Sequence, residues 1–330
     1  MKKIFLTLVA ISISILTFSQ GVIWNDAIAK GFAESATRLE ATRATFPISY
    51  SLERYVPQVY DQGETNMCVA YALSVSRTIL YAKYHDYIST KKIKENSFSP
   101  YFIYYHTVKM KDDKCILGLS PTSTTDFMEK SGVARIMNVE YPKYYPYSTV
   151  RLCGGYPDNY NNDVSSAKAY TIDGINWPTD KNQIKSEIAN GRPVCFSIPS
   201  DIPPSFNEPK SDVWDPDASV QCYGVTQKGY ACKRRSTKDI YCYQHKKETS
   251  NMGHMMLIIG YNDDKANGNG AFRILNSWGE EWGDNGKIWI KYNDFFKYVS
   301  KFGGNESWAN DPLAFSIHRR YEYIGNPFVE

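Results

Sequence analysis

Asn276-Ser277-Trp278-Gly279-Glu280-Glu281-Trp282-Gly283-Asp284-Asn285-Gly286 is the stretch on which the reading of this chain turns. It offers a side-chain amide, an indole two residues later, and a run of turn-forming glycines. Upstream stand Gly253-His254 and, far earlier, Gln62-Gly63-Glu64-Thr65-Asn66-Met67-Cys68. A cysteine, a histidine and an asparagine in that order, with Gln62 six residues before the cysteine, form the constellation of a thiol hydrolase.

Each of these residue types answers a chemical need. A thiol attacks a carbonyl only as thiolate, and a cysteine at a helix N-terminus is favoured in that form by the dipole and the unpaired N–H groups. His254 would take the thiol proton and later deliver it to the leaving amine. Asn276 would accept a hydrogen bond from the other imidazole nitrogen and fix the ring. The Cys68 backbone N–H and the Gln62 side-chain amide would stabilise the tetrahedral oxyanion, and losing one such donor costs about 3 kcal/mol. Trp278 would cover the imidazole–amide bond and keep water from it.

Around these positions the pattern predicts a long helix over 68–84, where Ala72, Val75, Ile79 and Ala82 recur at spacings of three and four on a run without Pro or Gly. Shorter helices are expected over 101–108 and 124–131, the second closed by Gly132, and over 181–189, ended by Gly191. Residues 141–147, rich in Tyr and Pro, read as an irregular crossing. Strand-like segments come later, at 193–198, 255–261, 272–275 and 287–292. A helical first half and a strand-rich second half make an α+β protein. The expected division is 21–45 as a short N-terminal extension, 46–150 as a left half with the nucleophile, and 151–330 as a right half with His254 and Asn276. The extension is too short for the sizeable inhibitory prosegment of many secreted peptidases, which allows export in active form.

In these motifs the chain resembles the papain-like cysteine peptidases, in order from about residue 46 to 320. The resemblance is carried by Gln62 to Cys68 with Ala70-Tyr71-Ala72, by Gly253-His254 before an apolar strand ending Gly260-Tyr261, and above all by the stretch beginning at Asn276. It implies a two-domain fold, with a helical left domain, a β-barrel-like right domain, and a cleft between them in which peptides lie. It also implies a cysteine endopeptidase acting on protein or peptide substrates through a Cys68 acyl-enzyme, with no cofactor for catalysis. Two rival readings keep the fold: a catalytically silent binding protein and a transpeptidase. The chain departs from the family pattern in three places. Thr65-Asn66-Met67-Cys68-Val69 lacks the usual cysteine before the nucleophile and tryptophan after it. His254 lies 186 residues beyond Cys68, against roughly 130–150 in well-known members. The glycine pair of the substrate wall is reduced to Gly118-Leu119-Ser120.

Residues 218–248 account for part of that excess and read as an inserted module. Cys222, Cys232, Cys242 and His245 follow Cys-x9-Cys-x9-Cys-x2-His, a ligand set suited to structural zinc. Metal would then supply stability that so small a module cannot gain by burial. Disulfide pairing among these cysteines, or with Cys115, Cys153 or Cys195, is the alternative. Cys115 with Cys153 is the bridge expected in the left half, and Cys195 reads as an unpaired core residue. Lys228, Lys233, Arg234, Arg235, Lys238, Lys246 and Lys247 make the insert basic, with tyrosines interleaved. That suits either an anionic partner or a solvated face.

The chain opens as a secretory signal peptide over 1–20, with Lys2 and Lys3 before an apolar run that ends at small and polar residues. Removing it leaves 36 basic against 35 acidic residues among about 310, so overall charge names no polyanionic partner. No later apolar run is long enough to span a membrane, and the product is expected to be periplasmic or extracellular without a membrane anchor. Seven cysteines is an odd number, and a nucleophilic Cys68 that stays reduced accounts for it.

Overall fold

A computed structural model describes residues 21–40, 45–108, 110, 112, 114–138, 160–222, 224, 226, 230–237, 253–303 and 306–319. The expected signal peptide, the 141–147 crossing, Cys153, Cys242 and His245 lie outside the described residues.

The longest helix is Cys68–Tyr84, and every residue from Cys68 to Ala82 is buried. It is therefore a central helix rather than a surface one, which explains its small polar residues: Ser74 and Thr78 return their hydroxyls to the carbonyls of Tyr71 and Ser74. With helices named in chain order, Asp26–Ser35 is α1, Cys68–Tyr84 α2, Thr90–Glu95 α3, Pro100–Thr107 α4, Pro121–Ser131 α5, Tyr160–Ala167 α6, Lys181–Ala189 α7 and Tyr292–Tyr298 α8. Ser99 and Ser120 cap α4 and α5, each followed by Pro at the first helical position, and Asp180 caps α7. Gly132 ends α5 at φ +77°, a conformation glycine adopts without steric cost.

The strands are Thr37–Arg38 (β1), Ser49–Ser51 (β2), Ile172–Trp177 (β3), Val194–Ile198 (β4), Val220–Gln221 (β5), Arg235–Ser236 (β6), His254–Asn262 (β7), Ala271–Leu275 (β8), Lys287–Lys291 (β9) and Ala314–Arg319 (β10). The main sheet runs β1-β3-β10-β4-β7-β8-β9, and β2 pairs with the far end of β7. The β1–β3 pair is parallel; every other pair is antiparallel. The strand β7 is buried from His254 to Tyr261, and α2 packs across it, β4 and β10.

The architecture is thus mixed α+β, but the β-barrel-like right half expected from the resemblance does not close. The sheet is open, from β1 at one end to β9 at the other. Closure would need the end strands to pair with each other. Here β1 is two residues long, and the outer edge of β9 is taken by a local strand-like segment: Trp214 N donates to Trp289 O and Trp289 N to Asp212 O, both at 2.8 Å.

Candidate active site

Register places the site. Leu257 lies opposite Leu275 and Ile258 opposite Ile274, so the start of β7 faces the residues just beyond β8. His254, the first residue of β7, thereby meets Asn276: His254 Nε2 is 2.7 Å from Asn276 Oδ1. Asn276 Oδ1 also accepts the Ser277 N–H at 2.8 Å, which makes it the amide oxygen. Nε2 must then carry the imidazole proton, and Nδ1 is left as the basic nitrogen. Nδ1 is buried with no hydrogen-bond partner among the described residues. Trp278 stacks on the imidazole at 4.5 Å between ring centroids and 22° between planes.

Cys68 opens α2, so its sulfur sits over the first-turn N–H groups of Cys68 and Val69. The backbone N–H groups of Met255 and Gly21 also point at it. The Met255 contact brings the head of α2 against the residue following His254, across the boundary of the two halves. Cys68 and His254 are both fully buried. Burial pushes the Cys68 thiol up to about 11 against the four backbone donors. It draws His254 down to about 4 against the Asn276 contact. Buried in this way, both groups are neutral at neutral pH.

Gln62 is buried at the same place. Its Nε2 donates to Thr65 O at 2.7 Å, and its Oε1 accepts the Ser277 hydroxyl at 2.5 Å. One amide hydrogen of Gln62 remains for another acceptor. Gln62 N also donates to Ser277 O and Gly279 N to Tyr60 O, at 2.8 and 2.9 Å. This short ladder couples the Gln62 turn directly to the Asn276 turn.

The Gln62-to-Cys68 loop lacks the usual neighbouring cysteine but is clamped by other means. Asn66 N donates to Cys115 O at 2.6 Å, and Asn66 Nδ2 to Ile116 O at 2.5 Å. Cys115 is itself disulfide-bonded. The 112–119 segment that receives Asn66 is held by the Asp112 carboxylate, which accepts the Ile116 and Leu117 N–H groups at 2.7 and 2.8 Å.

The structure therefore joins His254, Asn276 and Trp278 directly, ties Gln62 to them through Ser277, and sets the Cys68 sulfur against the backbone of Met255, the residue after His254. The sequence alone does not mark Ser277, Asn66, Met255 or residues 21–23 as members of the site. Ser277 lies inside the diagnostic stretch, but its partner Gln62 is 215 residues away, and no local pattern reveals such a pair.

In the insert, β5 and β6 pair as a short hairpin. Cys222 and Cys232 are buried against each other, and Gly224 N donates to Cys222 Sγ at 3.3 Å. Among the described residues no group of three or more His, Cys, Asp or Glu is placed to hold a metal ion. The four-ligand set read from sequence is therefore not shown, since Cys242 and His245 lie beyond those residues. Cys195 is a buried, unpaired core thiol, as expected. His85 and His106 pack on Tyr87 and Phe127.

A sequence profile of the papain family cysteine proteases matches residues 222–301, the span that holds His254 and the Asn276 stretch. In fold the chain is similar to xylellain, a cysteine protease from Xylella fastidiosa: TM-score 0.59, 20% identity, covering 91% of this chain and 96% of that one. It is similar to proCathepsin B S9 from Trypanosoma congolense, with TM-score 0.58, 13% identity, and coverage of 92% and 87%. It also matches the bromelain protease from Ananas comosus, in complex with the E64 inhibitor, with TM-score 0.50, 17% identity, and coverage of 83% and 99%. The comparison with curated proteins finds no match. The resemblance read from the motifs is thereby shown, in the profile match of the right half and in the fold of the whole. Profile and fold together indicate a cysteine peptidase.

Proposed function

We propose that this chain is an exported cysteine endopeptidase in which Cys68 attacks the peptide carbonyl. His254 acts as base and then acid, Asn276 orients His254, and Gln62 with the Cys68 N–H stabilises the oxyanion. The observation that carries this reading is the His254 tautomer: Asn276 holds the proton on Nε2, leaving Nδ1 as the basic nitrogen, while the Cys68 sulfur at the head of α2 receives the backbone N–H of Met255, the residue after His254. In the reaction, Cys68 passes its proton to Nδ1 and bonds the carbonyl carbon. The imidazolium protonates the leaving amine, and water hydrolyses the thioester. Trp278, stacked on the ring, keeps water from the His254–Asn276 bond. A peptidyl epoxide should alkylate Cys68 in the folded protein, not at all in Cys68→Ala and far more slowly in His254→Ala. Equal labelling of wild type and His254→Ala would overturn the assignment.

Export is supported by the leader-like residues 1–20 and by the disulfide at Cys115. No helix of the described residues is long and apolar enough to cross a membrane. For the insert the reading is a structural zinc held by Cys222, Cys232, Cys242 and His245. It is supported by the burial of Cys222 against Cys232 and by the N–H donated to the Cys222 sulfur, a contact that favours thiolate. Elemental analysis should then find about one zinc per chain, lost in Cys232→Ser; metal-free folded protein would refute it. The exposed Lys233, Arg234 and Arg235 would present the insert to an anionic partner. Polyanion binding that survives reversal of these three charges would exclude that role.

A further inference from the structure

The two donors assigned to the oxyanion, the Cys68 N–H and the Gln62 amide, stand at opposite ends of one loop, residues 62–68. They act only when aimed at a single point, so the loop must be held. The helix it feeds does not hold it. Side chains of Ser99, Ser120 and Asp180 cap α4, α5 and α7, whereas α2 begins after Met67 with no side-chain cap. An uncapped end leaves the first-turn N–H groups to the sulfur and to an incoming oxyanion. It also forgoes the bond that would fix the start of the helix.

Asn66 holds the loop from the side. Its main-chain N and its Nδ2 reach two successive carbonyls, Cys115 O at 2.6 Å and Ile116 O at 2.5 Å. Extended backbone turns successive carbonyls to opposite sides; here Cys115 has φ +51°, a left-handed conformation uncommon for a residue with a side chain. One carboxylate maintains that bend. Asp112 accepts the N–H groups of Lys114, Ile116 and Leu117 at 3.2, 2.7 and 2.8 Å, and the Tyr104 hydroxyl at 2.6 Å. Tyr104 is fully buried in α4, so the carboxylate is tied to a packed helix. Burial pushes the Asp112 carboxyl up, but Tyr104 and the N–H groups outweigh this and hold it below the usual carboxylate range. At the other end of the path, Thr65 precedes Asn66 and joins Gln62 twice: its carbonyl accepts Gln62 Nε2 and its hydroxyl donates to Gln62 O, both at 2.7 Å. A shift of Asn66 therefore moves the acceptor that aims the Gln62 amide.

We propose that Asn66 and Asp112 are positioning residues for the oxyanion: Asp112 shapes residues 114–117, Asn66 latches onto them, and the latch sets the Cys68 N–H and, through Thr65, the Gln62 amide on one point. Neither acts on the substrate itself. This assignment rests on the reading of Cys68 as the nucleophile.

The test uses Asn66→Ala in the full chain with three readings. These are hydrolysis of a small fluorogenic peptide amide, inhibition by a peptide aldehyde whose adduct places an oxygen in the oxyanion hole, and alkylation of Cys68 by iodoacetamide, a displacement that develops no oxyanion. The variant's kcat should fall about tenfold to a hundredfold while KM stays within about twofold. Aldehyde affinity should fall by the same factor, and alkylation should keep its rate. An active wild type whose kcat is unchanged in the variant would overturn the latch and leave the peptidase reading standing. A matched fall in kcat and alkylation would also overturn the positioning role, because it marks a general loosening of the site. A wild type without turnover would reject the peptidase reading; amide hydrogen exchange over residues 62–68 then decides the latch, faster exchange in Asn66→Ala supporting it and unchanged exchange overturning it. If Asn66→Ala loses its cooperative thermal transition, Asp112→Asn carries the same comparisons, since it discharges the carboxylate without altering the loop.

Discussion

His254 shows how much a single side chain's surroundings decide. Its imidazole is enclosed by Trp278 and by the strand that carries it, and burial draws it from an ordinary 6.5 to about 4. A histidine depressed in the folded state favours folding above its unfolded value, and that contribution is lost as pH falls from about 6.5 towards 4. A shift of this size corresponds to about 3 kcal/mol at most. Denaturant unfolding of wild type and His254→Gln between pH 7 and pH 4 should therefore show wild type losing up to about 3 kcal/mol more than the variant. Parallel stability curves would mean that the ring is hydrated and not enclosed.

At the scale of elements, the right half is fastened by one carboxylate. Glu187 of α7 accepts both Nε and Nη2 of Arg192 at 2.7 Å, Asn176 Nδ2 of β3 at 3.1 Å, and the Ser316 hydroxyl of β10. Burial pushes its pKa up, but Arg192 and the two other donors outweigh this and hold it below the usual carboxylate range. Glu187→Ala strands a guanidinium, an amide and a hydroxyl, and should cost about 3 kcal/mol or more, seen as a lowered Tm, with Glu187→Gln less damaging. The same cluster explains why β3 and β10 were not legible in sequence. Their inward positions include Asn176 and Ser316, which break the apolar alternation, and β3 contains Gly174. By contrast α2, α7, β4, β7, β8 and β9 were legible to within a residue or two, because apolar residues recur along them at helix or strand spacing and several of their ends are marked by Gly191, Asp180 or the Gly283-to-Gly286 turn. The site was legible as residue types in order. Its supports were not: Asn66 on residues 115–116 and Ser277 on Gln62 join segments 50 and 215 residues apart.

Over the whole molecule, five of the eight helices among the described residues fall before residue 150 and eight of the ten strands after it, but contacts ignore that division. Helix α2 packs on β4, β7 and β10, and β1 and β2 from the first 51 residues join a sheet otherwise built after residue 171. Arg273 of β8 binds Glu53 at 2.9 Å and Asp284 at 2.6 Å, and Gln62 N binds Ser277 O. Calorimetry should accordingly show the fold melting in one transition, with calorimetric and van't Hoff enthalpies equal. Two resolved peaks would show that the halves are independent.

The unclosed sheet has a further consequence. A sheet with two ends presents two rows of backbone groups to any passing chain, the usual route to amyloid-like stacking. Here one rim is the two-residue β1, and the other is occupied by residues 212–214 and flanked by Lys287 and Lys291. Both rims are blunted, which leaves little free strand edge at either end of the sheet for another chain to pair with.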